Sequence, residues 1–245
     1  MAQRSNNITD PAPPPPSALG RHRPLSSRAG VRVSPLCYGA MSLGNSWSGM
    51  MSGGLEQADG EKLLDHFYEQ GGNFIDTANA YQDGQSEEWI GTWMRKRKNR
   101  DEMVIATKYT TCFKDHRAGA KIASNNSGNS AKSLRLSVER SLKLLQTDYI
   151  DILYLHWWDH LSSIEEIIQS LNQLVQSGKV LYLGVSDTPA WVVAQGQMYA
   201  RAHGLAEFVI YQGRWNAISR DLEREIIPMC RQFVSSLFLR YHRVG

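Results

Sequence analysis

Short apolar runs recur along this chain at intervals of roughly thirty residues, and a stretch with helical periodicity lies between most neighbouring runs. The runs start near residues 36, 73, 103, 149, 180 and 208. The stretches between them place apolar side chains three and four apart. Leu63, Leu64, Phe67 and Tyr68 follow Ala58; Leu134, Val138, Leu142 and Leu145 lie between Ala131 and Leu145; and Ile164, Ile167, Ile168, Leu171 and Leu174 follow Ser163. Ser163 and Glu166 have the spacing of a capping box, and Thr188-Pro189 reads as an N-cap followed by proline in the first helical turn. Ser86 opens another helix, with Glu87 and Glu88 complementing its N-terminal dipole. Arg220 to Gln232 reads as a helix restarted at Pro228. Parallel strands need crossovers of a dozen or more residues, and this alternation supplies them.

Two all-parallel architectures fit, a doubly wound sheet and a TIM barrel. No GxGxxG follows any strand, which removes the best signature of a dinucleotide-binding sheet. Arg23 to Ser34 reads as a β-hairpin with Gly30 in its turn, a suitable plug for the bottom of a barrel. The expected fold is therefore an α/β (β/α)8 TIM barrel with an N-terminal hairpin. Residues 1–20, with Pro11 and Pro13 to Pro16, read as a disordered leader rather than a PxxP ligand.

Alternate residues of a strand share a face. Phe74 pairs in this way with Asp76; Val104 and Ala106 with Lys108; Ile152 and Tyr154 with His156; Tyr182 and Gly184 with Ser186; and Ile210 with Gln212. Each polar residue comes last. In a barrel the C-terminal strand ends surround one mouth, where active sites sit. Five strands thus deliver Asp76, Lys108, His156, Ser186 and Gln212 to one cleft, and Tyr81 follows Asp76 on a short turn.

That set describes proton delivery. Tyr81 is the member able to act as a general acid. A free phenol, with pKa about 10, releases its proton reluctantly near neutrality. A neighbouring ammonium stabilises the phenolate, and Lys108 is the candidate. Asp76 would keep a buried Lys108 charged, and a neutral His156 could donate a hydrogen bond to a substrate oxygen. With no metal set and no nucleophile–base pair evident, the electrons must come from a cofactor, and hydride from a nicotinamide fits. Ser186, Asp187 and Gln212 could hold its carboxamide.

The motifs Phe74 to Tyr81, Ile105 to Lys108, Tyr149 to His156 and Gly178 to Asp187 resemble those of the aldo-keto reductase superfamily, NADPH-dependent (β/α)8 oxidoreductases. The resemblance covers about residues 23–232. It implies Tyr81 as proton donor, with Asp76, Lys108 and His156 completing a catalytic tetrad, and Ser186, Asp187 and Gln212 on the nicotinamide of NADP(H). Asp187 stands where many members have asparagine. Arg214 to Asn216 and Arg220 to Glu225 look like the fungal branch of aryl-alcohol dehydrogenases and norsolorinic acid reductases. That branch acts on aromatic aldehydes and ketones, some in secondary metabolism.

A full barrel takes roughly 250 residues, and about 220 follow the leader. The chain is therefore expected to be an incomplete barrel domain over residues 21–245. Val234 to Tyr241 would serve as a seventh strand, the last strand and two helices would be lacking, and the C-terminus reads as truncated or frameshifted. The family's loops after strands seven and eight hold the NADPH diphosphate and 2′-phosphate, so a catalytically impaired or non-catalytic regulatory barrel is the alternative reading.

Composition excludes other classes. A net charge of +3 on 245 residues is too small to imply nucleic acid or membrane partners. The chain has no run long enough to span a bilayer and no apolar signal segment. Cys37, Cys112 and Cys230 lie far apart, as in a reducing compartment, so a cytoplasmic protein is expected, and the resemblance implies a small-molecule carbonyl or alcohol substrate. His156 and His160 lack HExxH context, so no metal is assigned. Trp47 and Trp157 are candidate substrate-pocket residues as well as candidate packing residues. The basic run Arg95 to Arg100 reads as a solvated helix end. Oligomeric state is not legible.

Overall fold

The structure, a computed structural model, describes residues 13–49, 54–112, 121–234 and 236–240. Strands β1 (Arg23–Ser26) and β2 (Ala29–Val33) form the hairpin. The other strands make one seven-stranded parallel sheet in chain order: β3 (Tyr38–Gly39), β4 (Phe74–Asp76), β5 (Val104–Tyr109), β6 (Ile150–Leu155), β7 (Val180–Ser186), β8 (Phe208–Arg214) and β9 (Leu237–Arg240). Helices α1 (Gln57–Glu69), α2 (Gln85–Arg97), α3 (Ala131–Leu145), α4 (Ile164–Gln176) and α5 (Ala190–His203) form the crossovers, and a short α6 (Ile226–Met229) lies between β8 and β9.

The sheet curls so that its two faces bury different sets of side chains. Inside, Phe74, Val104, Ala106, Ile152, Tyr154 and Ile210 pack with Leu25, Ala29 and Val33 of the hairpin, which plugs the interior. Phe74 on β4 meets Phe238 on β9 edge-on across that space, ring centres 5.8 Å apart. Outside, Ile75, Ile105, Leu153, Leu155, Leu183 and Val185 pack against the helices. Period two thus divides each strand between two cores, which is why the runs read as continuously apolar. Adjacent strands hold a fixed register in which Lys108 pairs with Tyr154, Tyr154 with Gly184, and Ser186 with Gln212. A Cβ on Gly184 would lie 2.5 Å from the Tyr154 ring, so this position has room only for glycine.

Several local expectations are corrected. The leader is ordered at its end: Ser17 caps a 3-10 turn over Ala18–Gly20, and its hydroxyl donates to Gln70 O at 2.7 Å. Residues 1–12 lie outside the described residues. The hairpin turns at Ser27-Arg28, since Ser26 pairs with Ala29, and Gly30 lies within β2. Leu63 is half exposed and Leu64 alone of that pair faces the core, because adjacent helical residues diverge by about 100°. Ser163 caps α4, but the Glu166 carboxylate accepts from Ala131 N at the start of α3. The N-cap of α5 is Pro189, and the Thr188 hydroxyl donates back to Ser186 O instead. Beyond Arg220 a 3-10 turn, α6 and a π turn over Cys230–Val234 replace one helix, with the chain restarting at Ile226, two residues before Pro228. The basic run is the exposed end of α2, as read from the sequence, with Lys96 paired to Glu61 and Arg97 to Asp65 and Glu69, while Arg100 beyond it pairs with Asp151.

Candidate active site

At the C-terminal mouth of the sheet the polar strand ends converge. Lys108, wholly buried at the end of β5, donates to Asp76 Oδ2 at 2.6 Å and to Thr77 O at 2.7 Å. Burial works against the ammonium. The charges of Asp76 and Tyr81 and the hydrogen bonds to both outweigh it and hold Lys108 above its ordinary range. Asp76 Oδ1 accepts from Gln212 Nε2 at 3.0 Å, tying β4 to β8 across the mouth. The Tyr81 ring lies over Lys108, 4.9 Å from Nζ to the ring centre, and meets the half-buried His156 ring edge-on at 5.9 Å. Asp76, Tyr81, Lys108 and His156 are therefore neighbours, although they come from three strand ends and a turn.

Tyr81 is held by an unusual stretch of backbone. Gln82, Asp83 and Gly84 have φ of 51°, 59° and 97° in succession. Arg140 of α3 donates to Asn79 O at 3.1 Å and to Asp83 O at 3.2 Å, spanning the turn, and a Cβ on Gly84 would lie 2.5 Å from its guanidinium. The buried Asn79 side chain donates to Ser137 Oγ and Thr111 O. Sequence reasoning missed Arg140 and Asn79. The one available signal was Ser133, Ser137 and Ser141 at helical spacing, all of them buried.

Of the two tryptophans, Trp47 stands edge-on to Tyr81 at 6.3 Å, with its backbone N–H on Gln82 Oε1. Trp157 is 37% exposed, and its indole donates to Thr111 Oγ1 at 3.0 Å. Trp47 thus touches the Tyr81 ring, and Trp157 reaches the loop after β5. A second buried phenol, Tyr154, lies 5.7 Å from Lys108 Nζ, ring centre to nitrogen. Burial, and then the Asp76 charge, push it well above the ordinary tyrosine range, which leaves it a poorer acid than an ordinary phenol.

The fit of a nicotinamide is tested by polar atoms the protein leaves unpaired. Ser186 Oγ and Gln212 Oε1 are buried and have no hydrogen-bond partner among the described residues, and their residues pair in register where β7 ends beside β8. Buried polar atoms are ordinarily satisfied. A carboxamide offers a carbonyl to accept from the serine and an NH2 to donate to the glutamine oxygen, so this pair fits the group. Asp187 follows at the exposed rim in left-handed backbone, φ 40°.

A curled parallel sheet thus gathers an acid–lysine pair, a tyrosine and a histidine at one mouth. Residues 35–236 match the aldo/keto reductase family, and the chain belongs to it. Among curated proteins it is similar to norsolorinic acid reductase of Aspergillus flavus, at 60% identity over 89% of this chain and 56% of that protein. It is 59% identical to norsolorinic acid reductase A of Aspergillus parasiticus, over 89% of this chain and 56% of that protein. It is 56% identical to an aryl-alcohol dehydrogenase of Pestalotiopsis microspora, over 91% of this chain and 57% of that protein. The chain thus spans less than two thirds of the length of these relatives. No described helix is long and apolar enough to cross a membrane.

Proposed function

We propose that this chain is an NADPH-dependent oxidoreductase that interconverts an aromatic or aliphatic aldehyde or ketone with its alcohol, within fungal secondary metabolism. The observation that carries the reading is the unpaired Ser186 Oγ and Gln212 Oε1 beside the Asp76–Lys108–Tyr81 cluster. Ser186, Gln212 and Asp187 would hold the nicotinamide, which when bound supplies hydride to the carbonyl carbon. Tyr81 passes its phenolic proton to the carbonyl oxygen. Lys108 stabilises the phenolate left behind, and Asp76 keeps Lys108 charged in its buried setting. His156 donates a hydrogen bond to the same oxygen, and Trp47 and Trp157 border the space an aromatic substrate would fill. The relatives named for norsolorinic acid reduction and aryl-alcohol oxidation support this substrate class.

The test is nicotinamide consumption by the purified chain across aromatic and aliphatic carbonyls, with binding followed separately by fluorescence. Tyr81→Phe should retain nicotinamide binding and lose about 10²–10⁴-fold in turnover. Turnover undiminished in Tyr81→Phe overturns the assignment of the proton donor. Absence of nicotinamide binding by the native chain overturns the cofactor assignment.

A further inference from the structure

Thr111, just beyond the end of β5, joins three parts of the mouth. Its carbonyl accepts from Asn79, which precedes Tyr81 by two residues. Its hydroxyl oxygen accepts from the Trp157 indole at 3.0 Å and lies 3.4 Å from His156 Nδ1. A threonine hydroxyl has one proton to give. If His156 carried its proton on Nδ1, Thr111 Oγ1 would accept from both neighbours, and its own proton would find no acceptor among the described residues. If Nδ1 is bare, both links can form: the indole donates to Oγ1, and Oγ1 donates to Nδ1. The 3.4 Å separation is at the long end for such a bond.

The backbone is bent to make this contact. Thr110 has φ 97°, a conformation in which a β-branched residue is strained. It is kept there by Gly128 N on its carbonyl at 2.8 Å and by Asn129 Nδ2 on its hydroxyl at 2.9 Å. The buried Asn129 also donates to Trp157 O at 3.1 Å and exchanges two hydrogen bonds with Asp159, at 2.7 and 2.8 Å. The loop carrying Thr111 and the loop carrying His156 and Trp157 are thus clasped by one side chain, and strain of this kind collects at functional sites.

We propose that Thr111 is a positioning residue that fixes the tautomer of His156, with Nδ1 bare and the proton on Nε2, where it can donate to a substrate oxygen. The proposal rests on the reading of His156 as that donor, and its test does not depend on turnover. The full chain is labelled with ¹⁵N-histidine, and the ring nitrogens are observed by two-bond proton–nitrogen correlation above the ordinary imidazole pH range, His156 being assigned by the signal lost in His156→Gln. The native chain should show a pyridine-like Nδ1 and a pyrrole-like Nε2. Thr111→Val should lose this preference and Thr111→Ser should keep it. Where turnover is measured, Thr111→Val should fall on the order of 10²-fold in kcat, the scale of one proton-handling group, with nicotinamide binding unchanged and Thr111→Ser restored. A protonated Nδ1 in the native chain, or an unaltered tautomer in Thr111→Val, overturns the proposal. The native spectrum decides the matter even if Thr111→Val does not fold. The expected spectra in a chain that turns over no carbonyl uphold the tautomer and overturn the reductase reading instead.

Discussion

Lys108 Nζ lies 2.6 Å from Asp76 Oδ2, and no part of the lysine reaches solvent. An ammonium in that position persists only with its counterion, and removing one partner of a buried pair leaves an uncompensated charge costing about 3–5 kcal/mol. Asp76→Asn should lower the free energy of urea unfolding at neutral pH by about that amount. The sign follows from the raised Lys108 pKa. Its stabilising contribution is complete below the ordinary lysine value of 10.5 and is lost as pH rises through the higher folded value. The double variant Asp76→Asn with Lys108→Met should recover part of the loss, because it removes the orphaned charge. An Asp76→Asn chain as stable as the native one would show that the pair does not hold the lysine.

Ser186 Oγ is buried with no partner in the protein, and an unsatisfied buried hydroxyl costs about 1–3 kcal/mol. Ser186→Ala should therefore unfold no more easily than the native chain when nicotinamide is absent. Nicotinamide affinity should fall about 2- to 12-fold, the equivalent of one hydrogen bond of ~0.5–1.5 kcal/mol. Paired denaturation and fluorescence titrations check both. A loss of stability with unchanged affinity would assign the hydroxyl a structural part instead.

Glu87 is the third residue of α2, directly after Ser86, whose hydroxyl bonds Thr77 Oγ1; it is wholly buried, with Thr107 Oγ1 donating to its carboxylate at 2.6 Å. Burial raises its carboxyl above the ordinary value of 4.5, against that hydrogen bond. From pH 4.5 up to the folded value, the unfolded chain ionises while the native one does not. Stability contributed by this group therefore falls as pH rises through that window, and the deficit is constant above it. Glu87→Gln keeps the shape and removes the charge. Its melting temperature relative to the native chain should rise between pH 4.5 and neutrality. A difference that does not change with pH would remove Glu87 from the titration.

The parts of the site that could be read from the sequence are those whose signal is local. Asp76, Lys108, Ser186 and Gln212 lie at or near the C-terminal ends of their strands, on the same alternate face as the apolar residues before them, so period two alone places them at one mouth. The hairpin plug and the helical faces of α3 and α4 follow from the same kind of spacing. Glu87 and Arg140 were legible only as helix residues. Glu87 reads as an acid suited to a helix N-terminus, and only the packing of α2 against β5 buries it against Thr107. Arg140 reads as a polar position on α3, and only the left-handed run Gln82 to Gly84 brings the carbonyls it binds within reach.

What the sequence by itself determined is the order of strands and helices, the division of each strand between an inner and an outer core, and the residue types at the mouth. These are fixed by side-chain periodicity within a few residues, which any stretch of chain carries with it. Only the tertiary structure decided which of those groups touch. Gln212 reaches Asp76 across 136 residues of chain, and Thr111 reaches His156 across 45. Those contacts exist because the sheet curls on itself and because Thr110 accepts a strained backbone, neither of which leaves a periodic trace in the sequence.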